Sequence, residues 1–315
     1  MPKIKMPTTL FRDGELSFDD AVERFLIDCS ARGLADKTLF TYRHHFQGMA
    51  HYLDMAMPLR DLRREHLNMM VVEMRANKLA TNTISSYVRV ITTFLHWCDR
   101  EQLCHVEPPK FKQVETVKET YTDEELLILL KRPSPTCRFT IYRNWVIINF
   151  LLNCGCRASS LRNIQNQDVF LDEQKVIFRH NKNGKVQAVP LCHQMVVILQ
   201  EYKIVRGGTD TDFLFCDEFG NQLSESALRE GIARYNRSRG VRKTSCHLFR
   251  HTFARKYLID CNGNAFTLQH LLGHSTLKMT QHYCKVFDAD IAKNFDNFSP
   301  LAQITQSKSR IHNRK

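Results

Sequence analysis

What this chain lacks narrows the possibilities first. Its longest apolar stretch, Trp145 to Leu152, is interrupted by Asn149, far short of the ~20 residues a spanning helix needs. The opening residues, MPKIKMPTTLFRDGELS, hold no apolar segment of the kind a secretory leader carries. There is no CxxC pair and no HExxH, the tight spacings typical of zinc sites. No internal repeat is visible, and low complexity is confined to the basic end, Lys308 to Lys315. The 11 cysteines are scattered and odd in number, which argues for free, mostly buried thiols in a reducing compartment rather than a disulfide framework. These absences lead to an expectation of a soluble cytoplasmic protein with no membrane partner and no metal or other cofactor.

Acid is also in short supply. Against 45 Lys and Arg stand 33 Asp and Glu, a formal net charge of +12. A basic chain of this size suits a polyanion, because each neutralised phosphate releases counterions. The 315 residues suggest about two domains, and 43% hydrophobic residues are ample for packed cores.

Periodicity divides the chain. Residues 1–16 read as a flexible, slightly basic arm. Apolar positions at helical spacing then recur four times: Val22, Phe25, Leu26, Cys29; Leu39, Tyr42, Phe46, Met49, Leu53; Leu67, Met70, Val71, Met74; and Ile84, Val88, Ile91, Leu95, Cys98. With short connections, they predict a helical bundle over 17–107. Its polar faces carry Lys37, Arg43, His44, His45, Lys78, Arg89 and the loop pair Arg63-Arg64, a collection suited to following a DNA backbone.

Pro108 and Pro109 break the pattern, and 108–117 reads as a linker. A second domain, 118–300, restarts where Thr122 and Glu125 have the spacing of a capping box. Helices are expected over 123–131, 140–153, 193–205 and 225–238. Two strands, 176–179 and 188–191, flank Asn181-Lys182-Asn183-Gly184-Lys185, whose Asn-Gly step is a hairpin signal. A basic tail, 301–315, follows. The fold class is mainly α with a small β-sheet or hairpin.

The chemistry gathers between Cys246 and Val286, which holds His247, Arg250, His251, the step Gly273-His274 and Tyr283. Breaking a phosphodiester requires a nucleophile, positive charge on the non-bridging oxygens and a proton for the departing oxygen. Arginine's planar fork suits the second task. Arg250 lies one helical turn after His247, so both can face one site. Arg157 follows Gly155 at a turn into a helix, where backbone N–H groups also favour an anion. Two arginines can bracket a phosphate as charge develops. Lys182, at a hairpin tip, can donate a proton if neighbouring cations lower its pKa. Tyr283 is the candidate nucleophile, giving a phosphotyrosyl ester that conserves bond energy for religation. Lys185, beside the lysine, is a further candidate DNA contact, and Cys156, Leu277 and Met279 read as core.

Arg157, Lys182 ahead of Val189-Pro190-Leu191, His247-x-x-Arg250, Leu271-Leu272-Gly273-His274 and Tyr283 together resemble, in order and spacing, the tyrosine recombinases of the phage-integrase, Xer-like family. That resemblance spans both domains: a helical core-binding domain and a mixed α/β catalytic domain. It implies that Tyr283 attacks the scissile phosphate and holds the 3′ end, with Arg157 and Arg250 stabilising the transition state. Lys182 would be the general acid, with His247 assisting proton transfer and His274 orienting phosphate. It further implies four protomers on two double-stranded DNA sites with inverted-repeat core sequences, strand exchange through a Holliday junction, a nucleoid-associated location, and no requirement for ATP or metal. The natural outcome, integration, excision or resolution of a mobile element or replicon, is left open.

One position departs. The family often has glutamate three residues after its first arginine, where this chain has Ser160, so arginine placement must rest on other groups. The short stretch before the first helix leads to no expectation of a separate arm-binding domain. Val286, Phe287, Ile291, Phe295 and Phe298 suit either docking in a neighbouring protomer or packing on their own domain. Two rival functions stay open: a DNA-binding regulator that kept the fold without the reaction, and a type-IB topoisomerase-like enzyme that relaxes DNA without exchanging partners.

Overall fold

Ser17 shows how locally the first helix is specified. Its hydroxyl oxygen accepts from the Asp20 amide at 3.1 Å, satisfying a donor the helix start would otherwise leave unpaired. Asp19 and Asp20 add negative charge to the positive end of the helix dipole. Helix α1 (Phe18–Ala31) then buries Phe18, Ala21, Val22, Phe25, Leu26 and Cys29 along one face. The computed structural model describes residues 16–111, 119–181, 184–277, 279–280 and 301. The chain divides into two compact units, Met1–Thr116 and Val117–Lys315.

In the first unit α1 packs with α2 (Asp36–Met49) and α4 (Thr81–Arg100), and α3 (Arg64–Ala76) packs on α4. Their buried stripes meet in an aromatic centre. Phe94 stands 5.3 Å from Phe18, 5.6 Å from Phe25 and 5.4 Å from Phe46, ring centre to ring centre. Each large apolar side chain removed from water contributes roughly 1.5–3 kcal/mol. The charged pair expected in a loop sits instead at a helix start, Arg64 being the first residue of α3 and Arg63 its cap.

The second unit is built on α6 (Phe139–Cys154), apolar nearly all round, with Trp145, Val146, Ile147, Ile148, Phe150, Leu151 and Cys154 buried. Such a helix needs partners on every side. It has α5 (Asp123–Leu130), α8 (His193–Arg206), α9 (Glu225–Ser238) and α10 (Cys246–Ile259). The capping box closes at α5: the Glu125 amide donates to Thr122 Oγ1 at 3.2 Å and the Thr122 amide to Glu125 Oε2 at 2.9 Å. Short α7 (Ala158–Arg162) follows α6, and α11 (Ala265–Leu272) follows α10.

Three antiparallel strands, β1 (Val169–Phe170), β2 (Lys175–Phe178) and β3 (Gln187–Pro190), run in that spatial order. Val176 faces Val169 on one side and Val189 on the other. Alternation puts Val176, Phe178 and Val189 on the inner face, where the Phe178 ring meets Phe150 of α6 edge-on at 6.3 Å. Both long strands lie one residue earlier than the apolar pattern predicts. Arg179 turns outward to Asp168, Nε to Oδ1 at 2.6 Å, which ends the strand at Phe178.

Candidate active site

Gly155 begins the site. It closes α6 in the left-handed conformation at φ +58°, and a Cβ there would stand 2.4 Å from Phe253 Cδ1 and 2.9 Å from Leu272 Cδ2. Only glycine fits both the angle and the approach. The turn directs the Gly155 carbonyl to Arg250, whose Nη1 donates to it at 2.8 Å. The chain then enters α7 with Arg157 as the residue preceding the first turn.

Arg250 is 5% exposed. Its Nη2 donates to the Leu272 carbonyl at 2.9 Å and meets His274 Nε2 at 2.8 Å. Because a guanidinium has no acceptor, Nε2 must accept, and the imidazole proton lies on Nδ1. That nitrogen is 2.9 Å from Thr280 Oγ1 and donates to it. Burial, followed by the positive charges of Arg250 and Arg157, pushes the His274 pKa down from 6.5 to about 4. The ring is therefore neutral at pH 7 and serves as an acceptor for Arg250.

Helix α10 delivers Arg250 because it is tied to the unit's first residues. The Tyr121 ring stacks on Phe249 at 4.3 Å, and the Tyr121 amide donates to Thr252 Oγ1 at 3.0 Å. Lys256 bridges Asp260, at 2.9 Å, and Asp123. His247 lies in the first turn of the same helix and is exposed; His251 is half-buried.

The β2–β3 connection is fastened at both arms. Ser160, 4% exposed, donates its hydroxyl to Asn181 Oδ1 at 2.7 Å. Asn181 Nδ2 donates to the Lys185 carbonyl at 3.0 Å, and the Gly184 amide to the Asn181 carbonyl at 2.9 Å. On the other arm Gln187 Nε2 donates to the carbonyls of His270 and Leu271 at 2.6 and 2.9 Å. Lys182 and Tyr283 lie outside the described residues, as do Val286 and the apolar positions after it.

The structure thus brings Arg157, Arg250 and His274 together. Four groups in their surroundings carry no signal in the motif pattern: the Gly155 carbonyl, Thr280, Asn181 and Gln187. Met279, expected in the core, is 42% exposed, while its polar neighbour Thr280 is fully buried. The hydroxyl is drawn inward by His274, and the apolar side chain is left outside. Among the described residues no three His, Cys, Asp or Glu side chains gather to ligate a metal.

The candidate DNA contacts sit on the first unit and the hairpin. Lys37, Arg43 and His44 are exposed on α2, with His44 stacked on Phe40 at 6.3 Å. Arg43 pairs with Glu23 at 3.1 Å and Arg64 with Glu107 at 2.7 Å. Arg63 donates to the Leu62 carbonyl at 3.0 Å, and exposed Arg89 to Ser86 Oγ at 3.2 Å. Lys78 follows α3 at φ +58°, and Lys185 is exposed between β2 and β3.

The chain is similar to known proteins over most of its length. The sequence model of the phage integrase family matches residues 115–290. A tyrosine recombinase XerC from Neisseria meningitidis is 26% identical over 303 residues, covering 92% of this chain and 98% of that protein. A Tn1549 transposon integrase in complex with transposon right end DNA superposes with a TM-score of 0.71 at 17% identity, covering 85% of this chain and 94% of the other. A lambda integrase tetramer bound to a Holliday junction gives 0.70 at 17% identity, covering 86% and 78%.

Proposed function

We propose, from the premise that this chain belongs to the phage integrase family and is a tyrosine recombinase, that it breaks and rejoins DNA through a covalent bond between Tyr283 and a 3′ phosphate. The tyrosine oxygen attacks phosphorus as the bond to the 5′ oxygen breaks. Arg157 and Arg250 hold the non-bridging oxygens, where negative charge accumulates in the transition state. Lys182 gives its proton to the departing 5′ oxygen, with His247 assisting transfer and His274 orienting the phosphate. Religation runs the same steps in reverse.

The observation that carries this reading is the setting of Arg250. It is buried, and its described partners at Gly155, Leu272 and His274 are neutral acceptors. The carbonyls and the neutral imidazole orient its planar fork, whose paired donors suit the oxygens of a phosphate.

The unit carrying Lys37, Arg43, His44, Arg63, Arg64, Lys78 and Arg89 grips the DNA backbone, joined by Lys185 from the hairpin. Four copies assemble on two sites whose core sequences are inverted repeats, exchange strands through a Holliday junction, and serve integration, excision or resolution in the cytoplasm at the nucleoid. The segment after Tyr283 docks in a neighbouring copy. DNA-bound relatives, among them a lambda integrase tetramer on a Holliday junction, support this assembly.

A nicked substrate whose 5′ product diffuses away tests the reaction. A covalent protein–DNA adduct is expected, and it should vanish in Tyr283→Phe. Tight binding without any adduct would identify a regulator instead. Adduct without recombinant joints between two sites would identify a relaxing enzyme.

A further inference from the structure

Ser160 is buried, and its hydroxyl is directed at the hairpin. We propose that Ser160 and Asn181 form a neutral latch that positions Lys182 for proton donation, a role resting on the reading of Lys182 as the general acid. Ser160 belongs to α7, the helix that Arg157 begins. Asn181 is the residue immediately before the lysine.

The bond is built to hold one geometry. Ser160 is buried, and its 2.7 Å contact with Asn181 Oδ1 joins residues 21 positions apart. The same amide group turns its nitrogen to the Lys185 carbonyl, three residues past Lys182, and to the Phe178 carbonyl at 3.3 Å. Asn181 therefore closes the base of the segment containing the lysine and anchors that base to the arginine helix. Gln187 fastens the far arm to the carbonyls ending α11, beside His274. Lysine has a long, flexible stem with three rotatable donors, so its aim depends on where the backbone carrying it is held. The buried hydroxyl–amide bond holds Asn181, the residue before the lysine, without using a negative charge.

The chemistry predicts a specific signature. In the normal substrate the P–O5′ bond breaks and the 5′ oxygen must take a proton. If sulfur replaces that bridging oxygen, the P–S bond breaks and a thiolate departs unprotonated, so proton donation no longer limits the rate. Ser160→Ala and Asn181→Ala are each expected to slow cleavage of the oxygen substrate at least ~10-fold, part of the roughly 10²–10⁴ a positioned acid supplies. On the sulfur substrate both should cleave within about twofold of the unaltered protein. Ser160→Thr, which keeps the hydroxyl, should restore oxygen-substrate cleavage. DNA binding and the melting temperature monitor folding, and the two alanine variants report independently.

An equal Ser160→Ala deficit on both substrates would sink the latch, because it would place the effect on the arginines or the fold. No deficit on oxygen would sink it as well. Lys182→Ala separates the underlying reading: sulfur should rescue it too. If it does not, the general acid is elsewhere and the latch falls with that assignment. If sulfur rescues Lys182→Ala but neither Ser160→Ala nor Asn181→Ala, only the latch is wrong.

Discussion

The candidate DNA-contacting arginines of the first unit and Arg250 of the second are held in opposite ways. In the first unit they are surface groups: exposed Arg43 faces Glu23, Arg64 faces Glu107, and Arg89 leans on a serine one helical turn away. In the second, Arg250 is 5% exposed and bonded to two carbonyls and an imidazole. Exposed pairs hold their charge loosely, in competition with water and salt. A buried guanidinium bonded to several acceptors at once is held in one orientation. Burial alone does not mark a reactive group, however. Arg143 is equally buried, bonded to the Cys216 carbonyl and to Asn144, yet no histidine among the described residues is bonded to it in the way that His274 is to Arg250.

The strongest way to break this contrast is Arg250→Lys. Lysine keeps the charge and loses the fork that reaches three acceptors. Cleavage of the nicked substrate is expected to fall by about 10²–10³, the usual loss on removing one transition-state donor. DNA binding should change by only a few-fold. If the lysine variant cleaves within tenfold of the original, orientation by Gly155, Leu272 and His274 is not what the site depends on.

A smaller effect follows from His274. Its folded pKa, about 4, lies below the ordinary 6.5 because the ring is buried and faces Arg250 and Arg157. As pH falls below about 6.5 the unfolded chain takes up a proton that the folded chain refuses until about pH 4. The folded state therefore loses stability across that window, and above it the group contributes no pH dependence. His274→Gln keeps an acceptor for Arg250 and removes the titration. Melting temperatures measured from pH 7.5 to 5 should fall less steeply in the variant. Parallel curves would mean that the imidazole is not held neutral.

What the sequence made legible follows the same division. Helices with long apolar stripes, such as α1 and α4, and caps made by near neighbours, such as Ser17 and Thr122, are local and readable. Strand β1 is two residues long and exists only through its pairing with β2, so no periodicity foretells it. Arg250, His274 and Arg157 are recognisable as residue types in order. Their supports are not, because Gly155 and Leu272 contribute backbone carbonyls from 95 and 22 positions away. Ser160 reads in sequence as a missing carboxylate. Only its contact with Asn181 reveals a different task, and Met279 shows that an apolar residue beside a buried hydroxyl can be the one left outside.

The smallest expected effect tests the surface side of the contrast. The Arg43–Glu23 pair is exposed at both ends, so breaking it costs roughly 0.2–1 kcal/mol, and Arg43→Ala should barely move the melting temperature. If Arg43 exchanges Glu23 for a DNA phosphate, the same variant should lower the dependence of log affinity on log salt by about one unit. Glu23→Gln then acts in the opposite direction. It removes the intramolecular competitor and should tighten binding a few-fold at low salt, the gain fading as salt rises. Arg64, half-buried against Glu107, is the comparison for stability: Arg64→Ala should lower the melting temperature more than Arg43→Ala does. If neither Arg43→Ala nor Glu23→Gln alters the slope, the α2 face is solvated surface, and the chain's excess positive charge meets DNA elsewhere.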